Sequence, residues 1–410
     1  MPLNSFFSAN SVWATSFQHR DFKYLWSSTL FQSLGTGMEQ VALGWLILDM
    51  TDSPVMVGLS TALRMAPMFF LGLLSGSVAD RLNRRRLLQV VTLLGCVVSI
   101  AMAFLLITNA AEIWHVLVLA ASGGCIWTFT FTTRQALTYD MVGTEHALNA
   151  LSLNDLSHRI GGVFGSILAG VLIVTVGTGG QYIVITICFV VAFTVLLLTR
   201  NVAQFAPVNR QSILSNLKSY IRLIRGNRTL MTLMLLTSAT EVFGFTNQSI
   251  LPIFARDVLG VGAIGLGVMT AVRQAGGALG LIILANLGNY RSKGVLTFIS
   301  VIGFGLSQMA LFLTSIWVFF LIILATINAF ASIADTLYKM IMQENVSNEE
   351  RGRAMGAWVL SIGVSPVGHI GIGAIAGIFG APGAILINGS ILTVIGITTM
   401  VGLPKIRRLE

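Results

Sequence analysis

The sequence predicts an all-α membrane protein with twelve transmembrane helices in two pseudo-symmetric six-helix bundles and both termini cytoplasmic. Three observations lead there. The 410 residues are 55% hydrophobic and only 10% charged, with a mean hydropathy of +0.82, far from the balance of a soluble domain. Apolar runs long enough to cross a bilayer alternate with short polar turns along the chain. The second half also repeats motifs of the first in the same order.

At roughly 30 to 35 residues per span and loop, the length allows about twelve spans and no large soluble domain. The first six spans read as 22–49, 54–79, 87–108, 113–139, 147–176 and 180–199. The last six read as 229–257, 263–287, 294–314, 317–343, 350–378 and 381–403. Residues 1–199 therefore form the first bundle, 200–228 a linker and 229–410 the second bundle. In the linker, Ile213, Leu214, Leu217, Tyr220, Ile221 and Ile224 recur at helical spacing among Arg210, Lys218, Arg222 and Arg225, the pattern of an amphipathic helix on the cytoplasmic membrane surface. Residues 1–20 are too polar for a secretory core, so no cleaved signal is expected.

Charge placement sets the orientation. The turn from Gly76 to Arg86 carries Asp80, Arg81, Arg84, Arg85 and Arg86 between two apolar runs. Such a turn must lie outside the hydrocarbon, and its arginines mark the cytoplasmic side. Most of the 25 Lys and Arg residues fall in alternate loops or at the termini, so the formal charge of +9 reports topology and not a nucleic-acid partner. Cys96, Cys125 and Cys188 lie inside apolar spans without CxxC spacing, which excludes a disulfide framework and a zinc site as readings; they are packing residues.

The repeat sets Thr61-Ala62-Leu63-Arg64 in span 2 against Thr270-Ala271-Val272-Arg273 in span 8. Carried forward, it places Asp80 opposite Asn289 and Arg84 opposite Lys293, so the second copy keeps the basic turn but loses the acid. A second correspondence sets Asp140 to Asn149, after span 4, against Glu344 to Arg353, after span 10.

Gly76, Asp80, Arg81, Arg84 and Arg85 match the pattern Gly-x-x-x-Asp-Arg-x-Gly-Arg-Arg, and in a twelve-span context the chain resembles a major facilitator superfamily transporter. Asn83 stands where that pattern has its second Gly, and Asn tolerates the positive φ such a turn would need. Arg20 to Trp26, Met38 to Trp45, Thr51 to Pro54 and Glu350 to Gly356 are similar to the branch of macrolide-efflux and enterobactin-exporter proteins. The resemblance implies that Asp80 faces the start of span 11 near Glu350 and that Arg84 reaches Asp140. With Gly76 and Arg81, these residues would form a cytoplasmic gate favouring the outward-open state. The competing reading is that the arginines only enforce topology.

Charges inside spans are costly unless paired or hydrated, so they mark function. Glu39, Arg64, Asp155, His158, Arg159, Glu241, Arg273, Asp335 and His369 qualify. Glu39 and Arg64 both lie about 14 Å deep and can pair. Glu241 lies nearer the membrane centre, and the repeat aligns Glu39 with Gln248 instead, so Glu241 is the first candidate proton carrier and Glu39 the second. Asp155 with Arg159, and Asp335 with Lys339, stand at i, i+4 and read as intrahelical pairs; the first pair is also a gate candidate. His369 reads as a packing or hydrogen-bonding residue, with proton relay as the alternative. Glycines such as Gly161, Gly162 and Gly165 in span 5, and Gly368, Gly371 and Gly373 in span 11, allow close helix approach.

Trp45, Trp127, Phe131, Phe243, Phe245 and Trp358, with Arg64 and Arg273, are the candidate cavity residues. A greasy cavity with one or two acids suits an amphiphilic cation, whereas exposure of the two arginines suits an anion such as a catecholate siderophore. The expected function is export of a small amphiphilic molecule, a drug-like compound or metabolite, by multidrug-type antiport against protons. Siderophore export, lipid translocation and a non-transporting sensor are the alternatives. No Walker loop is present, and no nucleophile-and-base or metal-ligand spacing points to an enzyme, a cofactor or a metal. The expected partners are a small-molecule substrate, protons and membrane lipids, with the chain a monomer in the bacterial inner membrane.

Overall fold

The computed structural model of the chain describes residues 16–200, 226–288, 292–347 and 350–407. Residues 201–225 of the expected amphipathic linker, and Asn289, Tyr290 and Arg291 of the second-half turn, lie outside the described residues. Within them the chain is all helical. In order the helices are α1 (Arg20–Thr51), α2 (Pro54–Arg81), α3 (Arg84–Ile107), α4 (Ile113–Leu197), α5 (Arg228–Phe243), α6 (Gly262–Asn286), α7 (Lys293–Phe312), α8 (Trp317–Glu344), α9 (Arg351–Ile362) and α10 (Ser365–Gly402). Nine helical stretches among the described residues are long and apolar enough to cross a membrane.

Two helices bend sharply at glycine. Gly143 (φ 74°, ψ 176°) and Gly177 (φ 74°, ψ 172°) divide α4 into stretches 113–142, 144–176 and 178–197, and Gly380 (φ 72°, ψ 168°) divides α10. These dihedrals lie in territory that only glycine occupies without strain, so the turns are written into the sequence at single positions.

Two spans read as continuous are broken. The helix of 229–257 stops at Gly244 and continues as a 3-10 segment, Phe245–Ile250, then Leu251–Ile253 and a π turn, Phe254–Val258. Two causes are visible: Gln308 Nε2 donates to the Gly244 carbonyl (2.7 Å), and Pro252 has no N–H to return to Gln248. The helix of 350–378 is interrupted at Gly363-Val364, directly before the Ser365-Pro366 start of α10.

The chain divides into two compact units: residues 1–42 with 71–210, and 43–70 with 211–410. In the first, α3 lies along α4, and an apolar cluster including Phe22, Leu25, Leu88, Leu137, Leu153 and Leu196 fills one end. Asp21 in the first turn of α1 accepts from the Arg200 backbone N–H (2.9 Å), and Trp26 Nε1 donates to the Leu153 carbonyl (3.0 Å). Both bonds fix the start of α1 against α4. A Cβ at Gly161 would stand 2.8 Å from the Leu30 carbonyl oxygen, so glycine is what lets α4 and α1 touch backbone to backbone.

In the second unit, α7 packs on α8 and α10, and α6 on α8. The end of α1 and most of α2 belong to it. Arg256 Nη1 lies 2.7 Å from Asp52 Oδ1 and 3.1 Å from the Leu48 carbonyl. Gly58 and Gly373 bring α2 and α10 together, since a Cβ at Gly373 would stand 2.7 Å from the Pro54 carbonyl oxygen and 3.3 Å from Gly58 Cα.

Candidate functional site

The charged turn between α2 and α3 is two residues long, Leu82 and Asn83. Asn83 does not use positive φ. It sits at φ −63°, ψ 108° as the N-cap of α3, its side chain accepting from the Arg86 N–H at 3.0 Å. Capping, not left-handed backbone, is what the residue supplies here.

Arg84 is 4% exposed and donates through Nη1 to both carboxylate oxygens of Asp140 (2.8 Å each), itself 2% exposed. Its Nη2 reaches Asp80 Oδ1 (2.9 Å), and its Nε donates to the Ala79 carbonyl near the end of α2 (3.2 Å). One guanidinium thus joins the last turn of α2, the first turn of α3 and the 113–142 stretch of α4. Arg85 Nε donates to Thr199 Oγ1 (3.2 Å) and Nη2 to the Leu197 carbonyl (3.1 Å), closing the far end of α4. Arg81 is exposed, and a Cβ at Gly76 would meet nothing within 4 Å, so no close approach accounts for that glycine.

The expected pair Asp155–Arg159 does not form: Arg159 makes no ion pair or hydrogen bond among the described residues. Its charge acts instead on His158, whose Nδ1 is 2.9 Å from Ser33 Oγ on α1. Helical spacing puts Asp155 and Arg159 on one face, but Asp155 is exposed while Arg159 is half-buried beside the histidine. Arg134 on α4 also acts on His158 and hydrogen-bonds Gln32 of α1. The sequence reading missed Arg134 because it stands only five residues from the expected inner end of its span, and its neutral partner is distant in the chain.

Glu39 lies on α1 in the first unit, with Oε1 3.2 Å from where a Gly123 Cβ would stand. Arg64 belongs to the second unit. Trp127 and Phe131 stack on the 113–142 stretch with ring centroids 5.5 Å apart and planes at 22°.

The second unit gathers the other expected titratable groups. Glu241 on α5 is 8% exposed, and the charges of Asp335 and Lys339 on α8 act on it. Asp335 Oδ2 is 2.8 Å from Lys339 Nζ, and Asp335 Oδ1 accepts from Trp358 Nε1 of α9 (3.0 Å). Lys339 Nζ lies 4.1 Å from the centre of the Trp358 ring, a cation–π distance. Tyr338 and Thr240 hydroxyls, 3.0 Å apart, tie α8 to α5 beside them. Asp335 is thus held from two sides, whereas Glu241 makes no hydrogen bond or ion pair among the described residues. Thirteen residues past Arg228, Glu241 stands about 20 Å from the start of α5.

Trp45 and Phe243 are half-buried in the same unit. Arg273 on α6 is half-buried with a buried Nε that has no partner among the described residues, and its charge acts on His369. His369 is 1% exposed; Ser249 Oγ is 2.7 Å from its Nδ1 and Gln248 Nε2 is 3.4 Å from its Nε2. Among the described residues no three His, Cys, Asp or Glu side chains gather to hold a metal.

Long apolar helices carrying charged side chains far from their ends are the build of a polytopic transport protein. The sequence model of the transmembrane secretion effectors, a family of the major facilitator superfamily, matches residues 10–410, and the chain belongs to that family. It is similar to the staphyloferrin A transporter of Staphylococcus aureus, 23% identical over 87% of this chain and 90% of that one. It is also similar to the enterobactin exporter of Citrobacter koseri, 24% identical over 95% of this chain and 93% of that one. Among solved structures, a nucleoside transporter superposes with a TM-score of 0.72 at 15% identity, covering 93% of this chain and 98% of that chain. A peptide-conjugate complex of a POT family transporter superposes with 0.79 at 12%, covering 94% and 96%; these two show the fold alone. The protein is therefore a multi-pass transporter of the bacterial inner membrane and not an enzyme. The names of these two relatives fit the siderophore alternative better than drug-like cargo.

Proposed function

We propose that this protein exports a siderophore or a similar anionic metabolite by alternating access, in exchange for protons carried by Glu241. The observation that supports the cargo is the match, over nearly the whole of each chain, to relatives named for staphyloferrin A and enterobactin. Proton exchange rests on Glu241, a buried acid with no ion-pair partner among the described residues, beside an aspartate already engaged by lysine and tryptophan. Glu39 is the second proton-coupling candidate.

The architecture for this reading is twelve spans. Stretches of 53 and 49 residues, at 1.5 Å per residue, would be roughly 75 to 80 Å long and must each cross a bilayer of about 30 Å twice, with Gly177 and Gly380 as the turning points. Nine stretches then give eleven crossings, and α1 (Arg20–Thr51) is the twelfth. An even number puts both termini on one side, the cytoplasmic side of the Arg-rich turn. Bundles 1–199 and 229–410, with the linker 200–228, complete a unit able to work as a monomer among membrane lipids. In it the Asp80–Arg84–Asp140 cluster, with Gly76 and Arg81, forms the cytoplasmic gate; the candidate cargo contacts are Trp127 and Phe131 in the first unit and Trp45, Phe243, Trp358, Arg64 and Arg273 in the second.

The test is flux of enterobactin and of a lipophilic dye cation in proteoliposomes with an imposed pH gradient. Gradient-driven enterobactin flux that Glu241→Gln abolishes supports the reading. Dye flux without enterobactin flux overturns the cargo, and full gradient-driven flux in Glu241→Gln overturns the coupling site.

A further inference from the structure

We infer that Arg134, with His158 and Arg159, forms an anion-binding subsite in the first unit that holds the carboxylate or catecholate oxygens of the cargo. The inference rests on the siderophore-export reading and names the chemistry by which that cargo would be held.

Arg134 stands 21 residues past Ile113 on α4, about 13 to 14 Å before the Gly143 bend. A guanidinium at that depth carries a heavy desolvation cost, and nature places one there with a partner or for a purpose. Its only partner among the described residues is Gln32, a neutral amide; it makes no ion pair, and its buried Nε has no acceptor. The arrangement is not one orphan alone. His158 is fixed by Ser33 at Nδ1, 2.9 Å away, which leaves its Nε2 without a hydrogen bond among the described residues. The ring is exposed although protein surrounds it. Arg159, one residue on, is likewise without an ion pair, and both arginine charges act on His158.

Two guanidinium charges without a carboxylate partner act on one imidazole and make the region positive. An anion offsets that charge and supplies the missing acceptors, and a carboxylate or a catecholate matches the planar fork of Arg134 with two oxygens. Gln32 serves as the neutral rest that steadies the fork without neutralising it.

The experiment measures binding of citrate and 2,3-dihydroxybenzoate, and of their methyl esters, to the purified full chain by calorimetry. Arg134→Gln should weaken both anions by about tenfold or more and leave the esters unchanged, and Arg134→Lys should recover part of the loss. Arg159→Gln, at a side chain with no structural bond to lose, should weaken the anions several-fold in protein whose melting temperature is unchanged. The inference is overturned if neither anion binds the wild type, if Arg134→Gln and Arg159→Gln bind the anions normally, or if acids and esters weaken alike. Enterobactin flux separates this from the export reading. Charge-selective binding without flux keeps the subsite and discards the cargo, whereas flux that Arg134→Gln leaves intact discards the subsite and keeps the cargo.

Discussion

Arg84 and Asp140 form a closed pair: Nη1 of the arginine is 2.8 Å from each carboxylate oxygen of the aspartate, and both residues are almost fully buried. Breaking such a pair leaves the buried Arg84 with only the half-exposed Asp80 as counter-charge, at a cost of roughly 2 to 3 kcal/mol, whereas removing both charges together costs far less. Asp140→Ala should therefore lower the melting temperature of the purified protein sharply. The double change Arg84→Leu/Asp140→Leu should recover much of it, and a double variant no more stable than Asp140→Ala would show that the pair is not what holds the turn.

Asp80 is a different case, because its side chain is 40% exposed and shares Arg84 with a better-buried partner. An exposed pair contributes about 0 to 1 kcal/mol. Asp80→Asn is expected to leave the melting temperature within a degree or two of wild type while changing transport, if the residue acts in a gate. A large stability loss would make Asp80 a structural residue.

The spans were legible because bilayer thickness forces long apolar runs, and turns of charge between them are unmistakable; α2, for instance, was expected over 54–79 and runs Pro54–Arg81. The Asp335–Lys339 pair was also legible, since both partners lie one helical turn apart. What was hidden depends on neighbours distant in sequence. The break at Gly244 needs Gln308, 64 positions away, to take up the freed carbonyl, and glycine is too common in this chain to mark one break. The same reason hid Arg134, whose partner Gln32 is 102 positions away.

Asp335 and Glu241 should separate in their responses. Asp335 accepts from Lys339 and from Trp358, so Asp335→Asn leaves a lysine without its counter-charge in a half-buried site, at about 1 to 2 kcal/mol. Glu241→Gln removes no ion pair and keeps the shape of the side chain. The expected pattern is a lower melting temperature for Asp335→Asn, and for Glu241→Gln a normal melting temperature with substrate exchange retained but pH-gradient-driven flux lost. Equal destabilisation by both changes would place Glu241 in the structural network.

The closeness of α2 and α10 offers a covalent test. A Cβ at Gly377 would lie 3.6 Å from Val55 Cγ2, so side chains at the two positions meet and a cysteine pair there can probe the contact. Both residues belong to the second unit, and the bond would staple the start of α2 to α10. Alternating access requires some helix contacts to open once per cycle, and this one, with Arg256–Asp52 beside the same hairpin, is a candidate. In a background with Cys96, Cys125 and Cys188 replaced by alanine, oxidised Val55→Cys/Gly377→Cys should stop flux and reduction should restore it, with each single variant active throughout. If the disulfide forms quantitatively and flux continues, α2 and α10 stay together during transport, and the opening must lie elsewhere.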